Sequence, residues 1–363
     1  MEQLGIAIIG CGAIALANHL PGFALCADTM VVALCDSDPA TLERAGVKTG
    51  IRHLYADHRE LLKLDYVHAV VIATPNLTHC RIALDAAAAG KHLLCEKPLA
   101  LNLHDAVAMA KAADAAGVRH MTAFTYRFVP AMRYMEHLIR SGDIGRPNHF
   151  RAQRFQDWGD RPLGWRQVRS LAGTGEMGDM LSHRIDYAHL LVGKTRRLVA
   201  DTRTMLPMRG GKPSDVDDWV AMLAEFGEEK PVTGVLESTK LATAIGEGHG
   251  GQDVVEVNGS EGTIIYSTQT PLQLRVGHRG DKELKTIAVP REFLVWPGSP
   301  RDPAIGDPLA TFRYDQNFEF VDAIRQGRAC RPTLWDGAKV QAVIDAAVIS
   351  ANERRWVDVA DVG

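Results

Sequence analysis

The stretch Ile6-Ala7-Ile8-Ile9-Gly10-Cys11-Gly12-Ala13-Ile14-Ala15 opens the 363-residue chain with a strong local pattern. Its apolar residues 6–9 are typical of a strand buried on both faces of a parallel sheet. They run directly into GxGxxA, and the residues up to about His19 are compatible with a helix. The glycines permit a tight turn and let a pyrophosphate approach the helix N-terminus. The context therefore predicts a dinucleotide site with contacts from Gly10, Gly12, Ala13 and Ile14.

The next apolar run, residues 30–35, ends in Asp36, at about the 20-residue spacing from the glycines where an acid binds the adenosine ribose. Ser37 follows, whereas a pocket for a 2′-phosphate usually has an arginine nearby. Asp38, followed by Pro39, is the better candidate for a helix cap, which leaves Asp36 available to the ribose. Asp36 and Ser37 are therefore predicted to bind the cofactor and to favour NAD over NADP.

The rest of the first half repeats strand and helix with short connections. Residues 69–73 form a third apolar run that ends in Thr74-Pro75-Asn76, and His79 starts a helix that Gly90 would terminate. A fourth run leads into Glu96-Lys97-Pro98, and a helix capped by Asn102 and a further strand follow. This alternation predicts a doubly wound parallel sheet.

Lys97 lies where the fourth strand stops. Pro98 biases Lys97 toward an extended conformation. Ligands of open α/β sheets bind beyond the carboxyl ends of the strands, so Lys97 is a candidate for substrate contact. A solvated Glu-Lys pair at a surface strand end is the structural alternative.

Length and composition limit the remaining possibilities. A chain this long predicts two domains, at residues 1–125 and 126–363. The net charge of −3 gives no reason to expect nucleic acid. The six cysteines are scattered without a CxxC pair, so no metal site is predicted and a reducing cytoplasm is favoured. The glycine-broken N-terminus is unlike a signal peptide, and no run is long enough to cross a membrane. A cytoplasmic location is expected.

The second half has a different pattern. Alternating strand-like runs at residues 149–155, 198–204, 219–226, 233–240, 254–258, 263–266 and 272–276 are separated by turn residues. They predict an α+β domain with a large, mainly antiparallel open sheet, which follows the α/β Rossmann domain. Trp158 and Trp165 lie in polar-aromatic loops, where tryptophans also serve as packing anchors.

A glycine-rich loop at residues 173–178 opens a helix with Asp179, His183 and Asp186. Their spacing places all three on one helical face. A carboxylate one turn from an imidazole supports its charged form, which suits a proton acceptor for an alcohol. A surface ion pair is the alternative reading of the same pattern.

Taken together, GxGxxA, Asp36, Ala73-Thr74-Pro75-Asn76 with His79, and Ala89-Gly90-Lys91-His92 leading to Glu96-Lys97-Pro98 resemble the Gfo/Idh/MocA oxidoreductases, the relatives of glucose–fructose oxidoreductase and inositol dehydrogenase. The resemblance implies that Lys97 lies beside the reacting hydroxyl, that Glu96 contacts the nicotinamide ribose, and that the Lys97-Pro98 bond is often cis. It also implies His183 as the general base, with Asp179 and Lys97 holding the hydroxyl. The loop reads GTGEMG, where the family more commonly has three consecutive glycines.

The resemblance completes the expected sites. The predicted cofactor contacts from it are Thr74, Pro75, Asn76, His79, Glu96, Lys97, Trp165 and Arg166, and the predicted substrate contacts are Lys97, Arg127, Trp158, Asp179 and His183. It also implies a homodimer or homotetramer formed through the sheet of the second domain.

The predicted function is NAD-dependent oxidation of a secondary hydroxyl of a sugar, a sugar derivative or a cyclic polyol such as inositol, by direct hydride transfer. The alternatives are a dihydrodiol dehydrogenase, a glycosidase that cycles tightly held NAD, and a non-catalytic cofactor-sensing regulator. A regulator would be expected to lose the trio Lys97, Asp179 and His183, and all three are present.

Overall fold

The structure, a computed structural model, describes residues 3–27, 29–159, 161–228, 230–246 and 252–362. Contacts divide the chain into two compact units. The first unit comprises the chain up to Thr125 with Trp296–Asp302 and Arg313–Ala338. The second comprises Tyr126–Val295, Pro303–Phe312 and the chain from Lys339. The division predicted from sequence has a single boundary after residue 125. It differs from the two units because Trp296–Asp302 and Arg313–Ala338 belong to the first unit.

The first unit is built on a six-stranded parallel sheet with strand order β3-β2-β1-β4-β5-β6. This is the Rossmann order, whose ligand crevice lies where the order reverses, between β1 and β4. The strands are β1 (Leu4–Ile9), β2 (Thr29–Cys35), β3 (Leu54–Tyr55), β4 (Ala69–Ile72), β5 (His92–Cys95) and β6 (His120–Thr122). The helices are α1 (Leu20–Ala24), α2 (Pro39–Thr49), α3 (His58–Leu62), α4 (His79–Ala88) and α5 (Leu103–Ala115), with a π-helical turn at Ala15–His19 and a 3₁₀ turn at Asn76–Thr78.

Local capping explains why these helices begin and end where they do. The side chains of Asp38, Asp57 and Asn102 accept hydrogen bonds from backbone N–H groups of the first turns of α2, α3 and α5. Gly90 follows α4 with a φ of 68°, as expected for a left-handed residue after a helix. The core strands β1 and β4 are almost completely buried, which matches their continuous apolar sequences.

The second unit is built on a nine-stranded sheet with order β16-β15-β14-β13-β7-β12-β11-β8-β17. Its pairs are antiparallel except for β7 with β12, which run parallel with Thr233 opposite His149 and Thr239 opposite Phe155. The strands are β7 (Pro147–Phe155), β8 (Thr195–Arg203), β11 (Trp219–Phe226), β12 (Val232–Thr239), β13 (Gln252–Gly259), β14 (Gly262–Ser267), β15 (Gln273–His278), β16 (Lys285–Ala288) and β17 (Val357–Asp358), and β9 (Met208–Arg209) and β10 (Lys212–Pro213) form a separate hairpin.

Helical segments complete the chain. They are α6 (Pro130–Arg140), α7 (Arg169–Ala172), α8 (Ser182–Leu191), α9 (Phe312–Gln326) and α10 (Leu334–Glu353), with 3₁₀ turns at Thr125–Phe128, Trp165–Gln167 and Arg291–Phe293 and a π-helical turn at Met177–Leu181 directly before α8. The predicted fold class is confirmed: a Rossmann domain is followed by a domain with a large, mixed and mostly antiparallel sheet.

Candidate active site

The glycine-rich turn lies at the point where the strand order of the first sheet reverses. Gly10 has a φ of 95°, and a Cβ on it would lie 2.5 Å from the carbonyl oxygen of Ala73, so this position requires glycine. At Gly12, by contrast, a Cβ would meet no atom within 4 Å among the described residues. The turn therefore leaves open space beside exposed backbone, which fits the close approach of a pyrophosphate.

Asp36 closes the other side of this turn. Its Oδ2 accepts a hydrogen bond from the Cys11 N–H at 2.8 Å, and its Oδ1 accepts one from the Asp38 N–H at 2.9 Å. Asp38 caps α2 by accepting from the Thr41 N–H, as the sequence predicts. A carboxylate has about four acceptor positions, so Asp36 can bind ribose hydroxyls while it holds the glycine turn. Ser37 lies exposed directly after it.

The segment after β4 carries the predicted contacts Thr74, Pro75, Asn76 and His79. The Thr78 hydroxyl lies 2.8 Å from both the Thr74 Oγ1 and the Pro75 carbonyl oxygen, and Asn76 is buried at the start of the 3₁₀ turn. The His79 ring is fully buried, with Nε2 3.0 Å from the Thr74 carbonyl oxygen and Nδ1 3.1 Å from that of Pro98. Burial lowers the pKa of His79. His79 thus joins the loops that follow β4 and β5.

Glu96 and Lys97 follow β5, and the Lys97-Pro98 peptide bond is cis. The Glu96 Oε1 lies 3.0 Å from Nε2 of the fully buried His19, whose Nδ1 lies 3.3 Å from the side-chain nitrogen of Asn317. Donation by Asn317 to Nδ1 leaves the His19 proton on Nε2, aimed at Glu96. Burial alone would raise the pKa of Glu96, but His19 and Lys97 outweigh it and the pKa lies below its ordinary value.

In the second unit, the π-helical turn before α8 places Asp179 in a buried cluster of charges. The Lys240 Nζ lies 3.4 Å from the Asp179 Oδ2 and 3.5 Å from the Glu176 Oε2. The Asp217 carboxylate accepts hydrogen bonds from the Gly175 and Met177 N–H groups, both at 2.7 Å. A Cβ on Gly175 would lie 2.0 Å from the Asp217 carbonyl oxygen, which explains why this position of the loop is glycine.

Trp165 and Arg166, predicted as cofactor contacts, lie near the same cluster. The Arg166 guanidinium stacks over the Trp165 ring, 4.3 Å from its centroid, and its Nε lies 3.9 Å from the Asp179 Oδ1. Trp158 lies under the Arg161 guanidinium at 3.8 Å, and its backbone N–H donates to the Lys240 carbonyl oxygen at 2.7 Å. The structure therefore brings the tryptophan loops and Asp179 together through Arg166 and Lys240.

His183 and Arg127 have different neighbours. The buried His183 ring packs edge-on against Tyr126, with centroids 4.6 Å apart. Arg127, predicted to bind substrate, donates from Nε and Nη2 to Asp186 at 2.6–3.0 Å. The arginine fork thus fixes the start of the second unit to α8, with Asp186 as its anchor.

Four residues of this arrangement were missed from sequence: His19, Asn317, Glu176 and Lys240. Lys240 directly follows β12, which is the same strand-end signal that identified Lys97. Glu176 stands inside the quoted glycine-rich loop. Asn317 has no local signal, because its contact joins residues far apart in the sequence.

Two features are absent from the part of the chain that the structure describes. No helix there is long and apolar enough to cross a membrane. Within the same residues, no group of three or more histidine, cysteine or acidic side chains is arranged to hold a metal ion.

A glycine turn at the reversal point of a Rossmann sheet, with an acid at the end of the second strand, defines a dinucleotide-binding protein. Residues 4–124 match the family model described as "Oxidoreductase family, NAD-binding Rossmann fold", and residues 132–265 match "GFO/IDH/MocA C-terminal domain". The chain belongs to the GFO/IDH/MocA oxidoreductase family and is an NAD-dependent enzyme. The predicted family and the predicted cofactor, NAD, are confirmed.

Named relatives are similar to this chain over most or all of their length. The chain is 32% identical over 400 residues to levoglucosan dehydrogenase of Pseudarthrobacter phenanthrenivorans, with 100% of both proteins covered. It is 30% identical to D-apiose dehydrogenase of Paraburkholderia graminis, with 97% of this chain and 88% of the relative covered. A solved structure of levoglucosan dehydrogenase in complex with NADH and levoglucosan matches with a TM-score of 0.90 and 31% identity, covering 99% of this chain and 100% of that one.

Proposed function

We propose that the protein is a dehydrogenase that oxidises a secondary hydroxyl of a sugar, a sugar derivative or a cyclic polyol. The observation that carries the proposal is the full-length similarity to levoglucosan dehydrogenase, combined with the presence of Lys97, Asp179 and His183. When bound, NAD supplies the acceptor for the hydride that leaves the substrate carbon.

The proposed cofactor site uses the backbone at Gly10, Gly12, Ala13 and Ile14 for the pyrophosphate and Asp36 with Ser37 for the adenosine ribose. Thr74, Pro75 and Asn76 follow the neighbouring strand, at the end where Rossmann ligands bind. His79 is given a positioning role, because its two ring nitrogens face backbone carbonyls. Glu96 is assigned to the nicotinamide ribose, held by His19.

The proposed chemistry is proton removal from the substrate hydroxyl. His183 accepts the proton at a ring nitrogen, and a positioned base of this kind contributes about 10²–10⁴-fold. The Lys97 ammonium donates a hydrogen bond to the hydroxyl oxygen and stabilises its developing negative charge. Asp179 holds the substrate by accepting a hydrogen bond from a neighbouring hydroxyl, because the single proton of the reacting hydroxyl goes to His183. Trp158, Arg127, Trp165 and Arg166 remain proposed contacts of substrate or cofactor.

The test is reduction of NAD, followed by absorbance, with levoglucosan, D-apiose, inositols, aldoses and dihydrodiols. Lys97→Ala is measured beside the wild type. We expect turnover with one sugar or polyol class that is lost in the variant. Turnover with dihydrodiols alone, or silence across the panel with NAD binding confirmed, would contradict the proposal. Nicotinamide that stays with the purified protein would favour a cofactor-cycling enzyme.

Asp36 is expected to make the enzyme prefer NAD. Two unit charges about 4 Å apart repel by about 4 kcal/mol at an effective dielectric constant of 20, and salt reduces this, so kcat/KM for NAD should exceed that for NADP by at least about tenfold. Asp36→Asn keeps the size of the side chain and removes its charge. It should reduce the ratio of kcat/KM for NAD to kcat/KM for NADP, mainly by raising kcat/KM for NADP. Asp38→Asn is the matched control. Equal use of both cofactors by the wild type would refute this role of Asp36.

We also propose that the open face of the nine-stranded sheet forms a homodimer or homotetramer. On this face Leu223 of β11 lies opposite Val199 of β8 and Val235 of β12, so the three residues form an apolar row across neighbouring strands. Leu223 is 50% exposed. The opposite face of the same strand is buried through Val220 and Met222. Light scattering should give a multiple of the chain mass of 39.6 kDa, and Leu223→Arg should reduce it. A wild-type monomer at assay concentration would contradict the proposal.

A further inference from the structure

Lys240 is a buried lysine held rigidly at the end of β12. It is 3% exposed, and its backbone is fixed on both sides. The Lys240 N–H donates to the Asp218 carbonyl oxygen at 3.0 Å, and the Lys240 carbonyl accepts from the Trp158 N–H at 2.7 Å. A buried ammonium is unfavourable unless opposite charges stabilise it.

Two carboxylates share the Lys240 ammonium. Its Nζ lies 3.4 Å from the Asp179 Oδ2 and 3.5 Å from the Glu176 Oε2. Asp179 retains a 13% exposed side chain, whereas the Glu176 side chain is completely buried. Asp179 can therefore meet a ligand, and Glu176 cannot. The same cation thus bridges one carboxylate with access to solvent and one that is sealed in the protein.

The hydrogen bonds of Ser238 indicate that Glu176 can hold a proton. The Ser238 hydroxyl lies 2.9 Å from the Arg154 carbonyl oxygen and also within bonding distance of the Glu176 Oε1. One hydroxyl has one proton, so Ser238 can donate to Glu176 when the carboxylate is ionised, and when Ser238 donates to the Arg154 carbonyl the second bond needs a protonated Glu176 as the donor. Burial raises the pKa of Glu176 to about 7, with Asp179 adding to the rise and Lys240 opposing it.

The remaining charges near the cluster come from three elements. Asp217 lies before β11 and contributes negative charge toward both Glu176 and Lys240. Arg166 approaches Asp179 from the 3₁₀ turn at 3.9 Å, and His183 is one turn further along the same helical segment. Burial disfavours the ammonium, but Asp179, Glu176 and Asp217 together raise the pKa of Lys240 above its ordinary value. Lys240 therefore stays charged.

We propose that Lys240 is a positioning residue that holds Asp179 as an oriented carboxylate, and that Glu176 competes for the same ammonium. When Glu176 is protonated, the lysine charge is directed at Asp179. When Glu176 loses its proton, a second negative charge shares the cation and raises the proton affinity of Asp179. This inference rests on the proposed role of Asp179 in turnover, and it adds a residue pair that regulates it.

The test compares Lys240→Met, Lys240→Arg and Glu176→Gln with an exposed control, Lys212→Met. Lys240→Met removes the cation. It should move the acid limb of the pH profile of kcat to higher pH and lower kcat by about tenfold or more. Lys240→Arg should restore most of the loss. Glu176→Gln fixes the uncharged state that Glu176 has below its pKa of about 7, so it should leave the acid limb in place and remove the change in kcat that ionisation of Glu176 causes above about pH 7. An acid limb that moves only in Lys240→Met, with a change near neutral pH only in Glu176→Gln, would not arise from a merely structural role.

A second readout does not depend on turnover. Selective ¹³C labelling of glutamate carboxyls, with Glu176→Gln as the assignment control, should show Glu176 titrating near pH 7 in the wild type. In Lys240→Met its pKa should rise further. Between about pH 4.5 and 7 the folded protein binds this proton and the unfolded chain does not. The free energy of unfolding should therefore decrease as the pH rises through that range in the wild type, and it should decrease less in Glu176→Gln.

The outcomes separate the two proposals. If no substrate is turned over but the Glu176 titration responds to Lys240→Met, the shared ammonium stands and the proposed function fails. If the wild type is active and both variants keep its pH profile, the positioning role of Lys240 is refuted. An unchanged Glu176 titration in Lys240→Met would refute the shared ammonium itself.

Discussion

Replacement of His183 by glutamine is expected to lower kcat by about 10²–10⁴-fold, the range typical of losing a positioned general base. Glutamine keeps a polar side chain of similar length but cannot take a proton from an alcohol. The His183 ring is 3% exposed and packs edge-on against Tyr126, so its position is defined by the protein. NAD affinity should change little, because His183 is not among the proposed cofactor contacts.

His189→Gln is the matched control for this variant. His189 lies on the same helix, α8, where Nε2 bonds to the Thr195 hydroxyl at 3.0 Å, outside the proposed site. Its replacement should leave kcat within a few fold of the wild type. Steady-state kinetics at saturating substrate and NAD give the comparison. Near-normal turnover in His183→Gln would remove His183 from the role of base.

Replacement of Arg184 by methionine is expected to lower the free energy of unfolding by about 3–5 kcal/mol, the cost of removing one partner of a buried ion pair. The Asp253 carboxylate is then left with Arg154 alone, whose Nη1 lies 3.9 Å from the Asp253 Oδ2. The Arg184 and Asp253 side chains are both completely buried and paired with each other. Arg184 also lies over the rings of Tyr126 and Tyr187 at 4.9 Å and 5.2 Å. Its loss therefore removes an ion pair and cation–π contacts together.

The double variant Arg184→Met, Asp253→Leu should recover only part of the lost stability, because it removes the Asp253 charge but takes away the ion-pair partner of the buried Arg154. Arg203→Met is the surface control: the Arg203–Asp201 pair is largely exposed, and its loss should cost only about 0–1 kcal/mol. Denaturant unfolding of all three variants provides the measurement. A loss in Arg184→Met no larger than that in Arg203→Met would show that the buried pair contributes little.

The first unit could be predicted in detail because its signals are local. Strands β1, β2, β4 and β5 read as apolar runs, and Asp38, Asn102 and Gly90 mark helix ends through their own neighbours, whereas the two-residue strand β3 was not predicted. The free space at Gly12 and the position of Asp36 beside the glycine turn agree with the dinucleotide-binding motif that begins at Gly10. The His19–Asn317 contact could not be predicted, because it depends on a helix almost three hundred positions later in the chain.

The second unit was predicted less completely because its arrangement depends on distant pairing. Seven strands of the sheet were recognised from alternation, and β16 and β17 were missed. The order of the sheet, with β7 beside β12, has no sequence signal. The π-helical turn at Met177–Leu181 was also not foreseen. Asp179, His183 and Asp186 were expected to lie together on one helical face. The structure instead pairs Asp179 with Lys240 and Arg166, and Asp186 with Arg127.

The parallel pairing of β7 with β12 also constrains how the chain acquires its structure during synthesis. Parallel neighbours cannot be joined by a hairpin, so residues 156–231 must be looped out before the pair can close. Pairing across such a sequence distance is slow, and domains fold while the chain is still growing. Glu176 and Asp179 leave the ribosome well before Lys240. The two carboxylates are therefore synthesised before the lysine whose ammonium they share in the folded protein.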